Sequence, residues 1–275
     1  MPASHRASST GAVPVLRRVA LFWVAYFVIL FLAAIPRGMA PPPWAQLTWG
    51  LVATPPLLAL AVFLARREVP ALGTIGASPA GHDVVPLFGG MVLGFASYAA
   101  VLVAISLLVT PIRLAAAPAP AAGPLLLAVG TVFVLAYMEE LGFRGYTLRA
   151  LQGALGTWPA QGLVALAFGL SHLAFGWEWN QVLYGVLPSA GLFGAVAHRS
   201  GGLAMPTGVH AAMNLAREAT GERGNTPLWT IVADEAAAAR LATSAPTIGL
   251  VVTLLAAGVV WWWPARGTMP RSVVT

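Results

Sequence analysis

Residues 122–144 read AGPLLLAVGTVFVLAYMEELGFR. The first part, Ala122–Met138, carries no charged side chain, and it approaches the length of about 20 apolar residues that a membrane-spanning helix needs. Two glutamates and an arginine follow directly. Ionisable side chains in or beside the bilayer are costly, and they commonly mark functional sites. The stretch therefore predicts a membrane helix with functional polar residues.

The whole chain has the composition of a membrane protein. Hydrophobic residues make up 58% of the 275 residues, and the mean hydropathy is +0.79. Charged residues make up only 9%, whereas a soluble domain carries about 25%. This excludes an ordinary cytosolic enzyme, a disordered chain and a coiled coil. We predict an all-α, polytopic membrane protein that has the lipid bilayer as its surroundings.

Two missing residue types narrow the chemistry. The chain has no cysteine, which excludes disulfides, zinc–thiolate sites and thiol nucleophiles. All 15 basic residues are arginine, so Schiff-base chemistry and a Ser–Lys dyad are excluded as well. The net charge of +6 does not predict a nucleic-acid partner, because the arginines are scattered at the ends of apolar runs, where they orient a protein in the membrane.

About eight transmembrane spans are predicted, and we expect the catalytic core in helices 4 to 7. The spans are Val19–Ile35, Trp44–Ala65, Val85–Thr110, Ala122–Met138, Trp158–His172, Gln181–Ala197, Gly202–Leu215 and Ile248–Trp263. They divide the chain into three N-terminal spans (1–121), a four-span core (122–216), and an extracytoplasmic loop with the last span (217–275). The fifth to seventh spans are short and hold polar residues, which is typical of helices that line an internal cavity.

The arginines predict the orientation. With the N-terminus inside, ten arginines fall in cytoplasmic segments and five in extracytoplasmic segments. The inside set is Arg6, Arg17, Arg18, Arg66, Arg67, Arg144, Arg149, Arg199, Arg266 and Arg271, and the outside set is Arg37, Arg113, Arg217, Arg223 and Arg240. We therefore expect a multi-pass protein of a cell membrane, with both termini in the cytoplasm. The alternative, a cleaved signal peptide with Arg17 and Arg18 as its basic region, is less favoured because its apolar run exceeds the usual length of about 7–15 residues.

The fourth span ends in the first polar cluster, which we place at the cytoplasmic end of that span. On a helix, Glu140 and Arg144 are one turn apart and can form an ion pair. Glu139 is rotated by about 100° and has Phe143 as its neighbour one turn on. An unpaired carboxylate in a low-dielectric pocket is suited to general acid–base catalysis near neutral pH. A polar helix end among lipid headgroups explains this cluster, taken alone, equally well.

The other two clusters lie in the fifth and seventh spans. His172 ends an apolar helix, and a lone histidine there is more often structural than catalytic. His210 and Asn214 are one turn apart on the same face, where they could stabilise an oxyanion or form an ordinary contact between helices.

The usual motifs of several hydrolases are missing. The sequence contains neither His-Glu-x-x-His nor Gly-x-Ser-x-Gly, and its two aspartates, Asp83 and Asp234, lie in or beside loops. A Glu/His/His/Asn set remains, which can activate water directly or hold a metal ion.

In order along the chain, the clusters match three motifs, Glu-Glu-x-x-x-Arg, Phe-x-x-x-His and His-x-x-x-Asn. The sequence thereby resembles the CPBP (CAAX protease and bacteriocin-processing) intramembrane proteases, also called the abortive-infection or type II CAAX prenyl endopeptidase family. The resemblance covers residues 122–216. Each motif is weak alone, but the three together on consecutive apolar helices are specific.

The resemblance implies that a peptide bond is hydrolysed in a water-filled cavity open to the cytoplasm, with a membrane-associated peptide or protein as the substrate. Glu139 and His172 would activate the water, and His210 and Asn214 would stabilise the oxyanion. Glu140 and Arg144 match the remaining positions, where we expect a structural pair. The family has been described both with and without a metal. Glu139, His172 and His210 could form a zinc site, although we favour the metal-free alternative.

Two other functions are compatible with the clusters. A proton-coupled transporter also uses buried Glu and His residues, but it commonly shows two-fold internal symmetry, which this sequence lacks. A non-catalytic membrane scaffold, such as an immunity protein, would need no intact catalytic set. The sequence does not identify the substrate or the oligomeric state. Its Arg-rich, lysine-free composition is typical of a GC-rich bacterial genome, which favours the bacterial cytoplasmic membrane.

Overall fold

The computed structural model describes residues 11–67, 81–223 and 226–263. Ten helices and two short strands follow one another along these residues. They are α1 Ala12–Met39, α2 Ala45–Arg67, α3 Val84–Leu108, β1 Arg113–Ala116, α4 Ala122–Glu140, α5 Tyr146–Leu155, α6 Thr157–Ala174, α7 Trp179–Gln181, α8 Leu187–Ser200, α9 Ala204–Ala219, β2 Trp229–Val232 and α10 Glu235–Trp262. Two π turns, Leu141–Gly145 and Val182–Val186, join α4 to α5 and α7 to α8. Short 3₁₀ turns at Pro42–Trp44 and Gly81–Asp83 precede α2 and α3.

The protein is an all-α, polytopic membrane protein, as the composition predicts. Within the described residues, five helical segments are long and apolar enough to cross a bilayer. These are Ala12–Met39, Pro42–Arg67, Val84–Leu108, Ala122–Leu155 and Glu235–Trp262. The helices α6, α8 and α9, which correspond to the three short predicted spans, lie between them and complete the bundle.

The structure corrects the predicted limits of the fourth span. The sequence placed Glu139 at the cytoplasmic end of a helix that stops at Met138. Instead, the helix continues through the first π turn, Leu141–Gly145, and α5 to Leu155. All five residues of this π turn are buried. The acidic pair therefore lies inside the bundle rather than at its edge.

Two connections between the predicted spans contain regular structure. Pro36, which directly follows the first predicted span, lies inside α1, which ends at Met39. The segment 217–246, expected to be a loop with some helix, contains β2 and the first turns of α10, with Pro246 inside that helix. The strand β2 pairs in antiparallel fashion with β1, a pairing that the sequence did not predict. This small sheet ties the segment before α4 to the segment before α10.

Glycines set the position of α9, the helix that carries His210 and Asn214. A Cβ atom at Gly208 would lie 2.1 Å from the carbonyl oxygen of Leu87, and one at Gly90 would lie 2.1 Å from that of Met205. Only glycine allows the backbones of α3 and α9 to approach this closely, which is a common way to pack membrane helices. The close contact fixes α9, and with it two of the predicted site residues, against a long membrane helix.

Candidate active site

A cavity of about 260 Å³ lies inside the bundle, and Glu139, His172, His210 and Asn214 all line it. The residues come from three helices: α4, α6 and α9. The structure therefore brings together all four side chains to which the sequence analysis gives a catalytic role. Tyr26, near the middle of α1, lines the same cavity, so the site lies well inside the membrane part of the bundle.

Glu140 and Arg144 form a fully buried pair beside this cavity. Arg144 Nη1 donates to Glu140 Oε1 at 3.1 Å, and neither side chain is exposed to solvent. The guanidinium also stacks over the ring of Phe168 and donates to the backbone oxygen of Ala190 on α8. The two residues form the ion pair expected from their spacing. Through Phe168 and Ala190, Arg144 also links this segment to α6 and α8.

Phe168 orients His172. His172 Nδ1 lies 2.8 Å from the carbonyl oxygen of Phe168, one turn earlier on α6. A carbonyl oxygen only accepts, so Nδ1 carries the hydrogen and the neutral ring keeps a lone pair at Nε2. That atom faces Glu139 Oε2 at 4.0 Å. The ring of Trp177 packs edge-on against the imidazole from the other side. The first residue of the Phe-x-x-x-His motif thus fixes the ring of the last.

Glu140 orients His210 in the same way, across 70 residues of sequence. His210 Nδ1 donates to Glu140 Oε1 at 2.9 Å, and Nε2 lies 3.8 Å from Glu139 Oε2. The ring of Phe193 stacks on the imidazole with centroids 4.5 Å apart. Glu140 therefore contacts His210 as well as Arg144. The contact with His210 cannot be predicted from residue spacing along one helix.

Glu139 is the one acidic side chain among the described residues that lines the cavity. Its Oε2 atom is buried and has no hydrogen-bond partner among the described residues. Both histidines point Nε2 toward this atom, so three potential acceptors converge on one gap. Buried hydrogen-bond acceptors need donors, so a water molecule is favoured in this gap. A water placed there can donate to both Glu139 Oε2 and His172 Nε2, at about 2.8 Å from each atom.

The same three atoms do not form a zinc site as they are placed. Two ligands on a tetrahedral zinc ion, each about 2.0–2.1 Å from the metal, lie about 3.3 Å apart. The distances here are 3.8 and 4.0 Å. Among all the residues that the structure describes, no group of three His, Asp or Glu side chains is arranged to hold a metal ion. The donor types suit zinc, but their spacing does not.

Asn214 lies one turn after His210 and lines the cavity. Its amide makes no hydrogen bond with the described part of the chain. An amide inside a cavity with no internal partner is free to donate to a bound ligand, in agreement with the role that the family resemblance implies.

Two arginines beyond the motifs also line the cavity. Arg217 pairs with Glu222 at 3.0 Å, and Glu222 accepts from the hydroxyl of Tyr98. Arg223 stacks over Trp177 at 5.0 Å and has no ion pair with the residues that the structure describes. Burial lowers the pKa of Arg223, and the nearby charge of Arg217 acts in the same direction, whereas the charges of Glu139, Glu218 and Glu222 raise it. A bound anion would act in the same direction as these carboxylates. No motif in the sequence points to Arg223, because it lies nine residues after Asn214, the last motif residue in the cavity, in a segment expected to be a loop with some helix.

The fold and the site together define a class: a helical membrane protein that holds a carboxylate and two oriented imidazoles around one buried polar cavity. The family follows from a comparison with protein-family models. Residues 121–216 match the family described as Type II CAAX prenyl endopeptidase Rce1-like. This match supports the resemblance to CAAX-type endopeptidases that the three motifs predicted, and the matched residues contain every predicted site residue. No curated protein and no solved structure gives a significant match to the chain.

Proposed function

We propose that the protein is an intramembrane endopeptidase that cleaves membrane-associated peptides or proteins with water activated by Glu139. The observation that carries the proposal is the buried Oε2 atom of Glu139, which has no partner in the described chain and faces two imidazole nitrogens across a cavity. The matching family is a family of endopeptidases, which supports peptide-bond hydrolysis as the reaction.

The geometry supports a mechanism with two proton transfers, both through Glu139. A water molecule between Glu139 and His172 gives a proton to the carboxylate and attacks the carbonyl carbon of the substrate. The carbonyl oxygen becomes an oxyanion, toward which Asn214 can donate. Glu139 then returns the proton to the leaving amide nitrogen as the C–N bond breaks. The products are a carboxylic acid, which then loses its remaining proton to solvent, and a free amine.

His210 can donate to the oxyanion only as an imidazolium ion. Its Nδ1 hydrogen is already used by Glu140, so Nε2 carries a hydrogen only when the ring is charged. Carboxylate oxygens lie on both sides of the ring, with Glu139 Oε2 3.8 Å from Nε2 and Glu140 Oε1 2.9 Å from Nδ1. We assign His210 to oxyanion stabilisation and His172 to water positioning.

Replacing His172 with alanine tests the proposed function. We expect purified protein in liposomes to cleave a membrane-anchored peptide, and His172→Ala to lower the rate by about 10²-fold or more, since the water loses one of its two acceptors. His198→Ala is the matched control, because His198 bonds to Gln152 and stacks on Trp261 away from the cavity. Equal activity of all three proteins, measured by mass spectrometry of the products, would refute the mechanism.

Treatment with metal chelators tests the metal-free assignment. We expect cleavage to persist in EDTA and in 1,10-phenanthroline, because the distances between Glu139 and the two histidines exceed those of a zinc site. A zinc metalloprotease in the same buffer serves as the positive control for chelation. Loss of activity that returns on adding zinc, together with one bound metal per chain by elemental analysis, would establish the metal-dependent alternative.

We further infer that Arg223 binds the C-terminal carboxylate of a substrate cleaved near its end. A charge-assisted hydrogen bond contributes about 1.5–3 kcal/mol, so Arg223→Gln should raise KM by about 10–100-fold for a peptide with a free C-terminus. The same peptide with an amidated C-terminus should show little change. Arg217→Gln is the matched control, since Arg217 is already paired with Glu222. Equal KM changes for free and amidated peptides would contradict this role.

A further inference from the structure

Tyr26 brings a side chain from α1 to the catalytic cavity. It lines the cavity together with Glu139, although α1 lies before the matched residues 121–216 and none of the three motifs includes this tyrosine. Only 2% of Tyr26 is exposed, so it is one of the largest enclosed side chains in the described part of the protein. A tyrosine buried this deeply usually finds a hydrogen-bond partner for its hydroxyl, so the surroundings of the hydroxyl indicate what the residue does.

The first π turn, Leu141–Gly145, holds the ring of Tyr26 in place. A Cβ atom at Gly142 would lie 2.8 Å from Cδ2 of the tyrosine and 3.2 Å from Cζ, so only glycine leaves room for the ring here. The ring of Phe143 packs edge-on against the same ring, with centroids 5.2 Å apart. Because Glu139 lies only two residues before this turn, the same stretch of backbone positions the tyrosine and the carboxylate relative to each other.

The hydroxyl of Tyr26 is unpaired and accessible from the cavity. It forms no hydrogen bond with the residues that the structure describes. The enclosed polar atoms without a partner in this part of the chain include Oε2 of Glu139 but not the Tyr26 hydroxyl. The small exposed part of Tyr26 therefore includes its oxygen, and the cavity is the space that the side chain lines. A phenol in this position is available to bind a substrate.

Neutral hydrogen-bond donors are needed around Glu139. Among the charged groups near the Tyr26 hydroxyl, Glu139 exerts the largest electrostatic effect, so the hydroxyl faces the carboxylate that activates water. Of the two residues assigned to the oxyanion, His210 carries a hydrogen at Nε2 only when its ring is charged, because Nδ1 donates to Glu140. A phenol keeps its hydrogen near neutral pH and donates it without any change of charge. Tyr26 therefore supplies a kind of donor that His210 does not.

We propose that Tyr26 is a further catalytic residue, whose hydroxyl donates a hydrogen bond to the carbonyl oxygen of the scissile peptide bond as that oxygen becomes an oxyanion. The inference rests on the proposed endopeptidase function. The hydroxyl keeps its proton throughout the reaction, so the two proton transfers stay with Glu139. Tyr26 from α1 and Asn214 from α9 bind the oxyanion together, and the active site is complete only with a helix outside the matched residues.

Replacing Tyr26 with phenylalanine removes the hydroxyl and keeps the ring. Loss of one oxyanion donor lowers kcat by about 10²–10³-fold in other enzymes, and we expect a loss of this size for Tyr26→Phe in liposomes, with KM nearly unchanged. The melting temperature should not change, since the lost hydroxyl has no partner in the described chain. Tyr184→Phe is the matched control, because Tyr184 lies in the second π turn and does not line this cavity. A wild-type kcat for Tyr26→Phe would overturn the proposal.

Binding of a transition-state mimic tests the hydroxyl without catalysis. The probe is a membrane-anchored peptide in which a phosphinate replaces one amide bond, so that it carries tetrahedral, anionic oxygens. The parent peptide with the intact amide serves as the ground-state comparison, and both are bound to Glu139→Gln protein, which should not cleave. In that background we expect Tyr26→Phe to weaken phosphinate binding by about 10–100-fold and amide binding very little. Equal phosphinate binding with and without the hydroxyl, or no phosphinate binding by either protein, would overturn the proposal.

The two measurements separate this inference from the proposed function. Absence of cleavage by the wild-type protein, together with the expected difference in phosphinate binding, would refute the endopeptidase function and retain Tyr26 as a donor to an anionic oxygen. Cleavage by the wild-type protein, together with equal phosphinate binding by both variants, would retain the endopeptidase function and remove Tyr26 from its mechanism.

Discussion

Replacing Glu139 with glutamine should lower the rate of peptide cleavage by about 10²–10⁴-fold, the range that a general base contributes. The amide keeps the size of the side chain but cannot take a proton from water. Glu139 makes no hydrogen bond to the described chain through Oε2, so folding should be unaffected. The rate is measured as kcat/KM in liposomes, and folding as the melting temperature in detergent.

The matched control for this variant is Glu235→Gln, which neutralises an exposed carboxylate in the first turn of α10. It should change neither quantity appreciably. Normal cleavage by Glu139→Gln at an unchanged melting temperature would remove Glu139 from the mechanism. A lower rate accompanied by an equal loss of folded protein would instead assign this residue a structural role.

Replacing Arg144 with methionine should destabilise the protein by about 3–5 kcal/mol, the cost of leaving one partner of a buried ion pair without the other. Glu140 would then keep only His210 as a partner inside a fully buried environment. The matched control is Arg67→Met, at the exposed end of α2, where the guanidinium contacts only the ring of Phe63 among the interactions observed. The free energy of unfolding is compared by thermal and denaturant unfolding in detergent.

A double variant separates the two roles of this pair. Glu140→Gln with Arg144→Met leaves no unpaired buried charge, so it should regain a large part of the lost stability. Its activity should stay low, because His210 loses the carboxylate that orients its ring. Recovery of both stability and cleavage would show that Glu140 acts only as the partner of Arg144.

The sequence predicts the membrane class and the members of the site because both depend on local patterns. An apolar run such as Ala122–Met138 determines a membrane helix by length, and residues spaced by four, such as His210 and Asn214, share a helix face whatever surrounds them. The match of residues 121–216 to a family of endopeptidases follows from the same residues. These parts require no knowledge of how helices pack.

The parts that the sequence did not predict depend on contacts between distant segments. The bond from His210 to Glu140 joins residues 70 positions apart, and the stacking of Arg223 on Trp177 depends on how two connections fold over the cavity. The fourth span was cut short because Glu139 and Glu140 look like the end of a helix. They stay buried only because Arg144 and His210 neutralise Glu140, and because the cavity gives Glu139 access to water.

The π turn at Leu141–Gly145 also affects how this protein should be aligned with others. A π turn holds one more residue than the α-helical turn it replaces, so the side chains that follow are rotated by about 100° relative to an uninterrupted α-helix. A helical-wheel plot of residues 122–155 in one register would assign the lipid-facing and buried sides of α5 incorrectly. A relative that lacks the extra residue would need a gap between Glu140 and Tyr146, even where the residues on either side are identical.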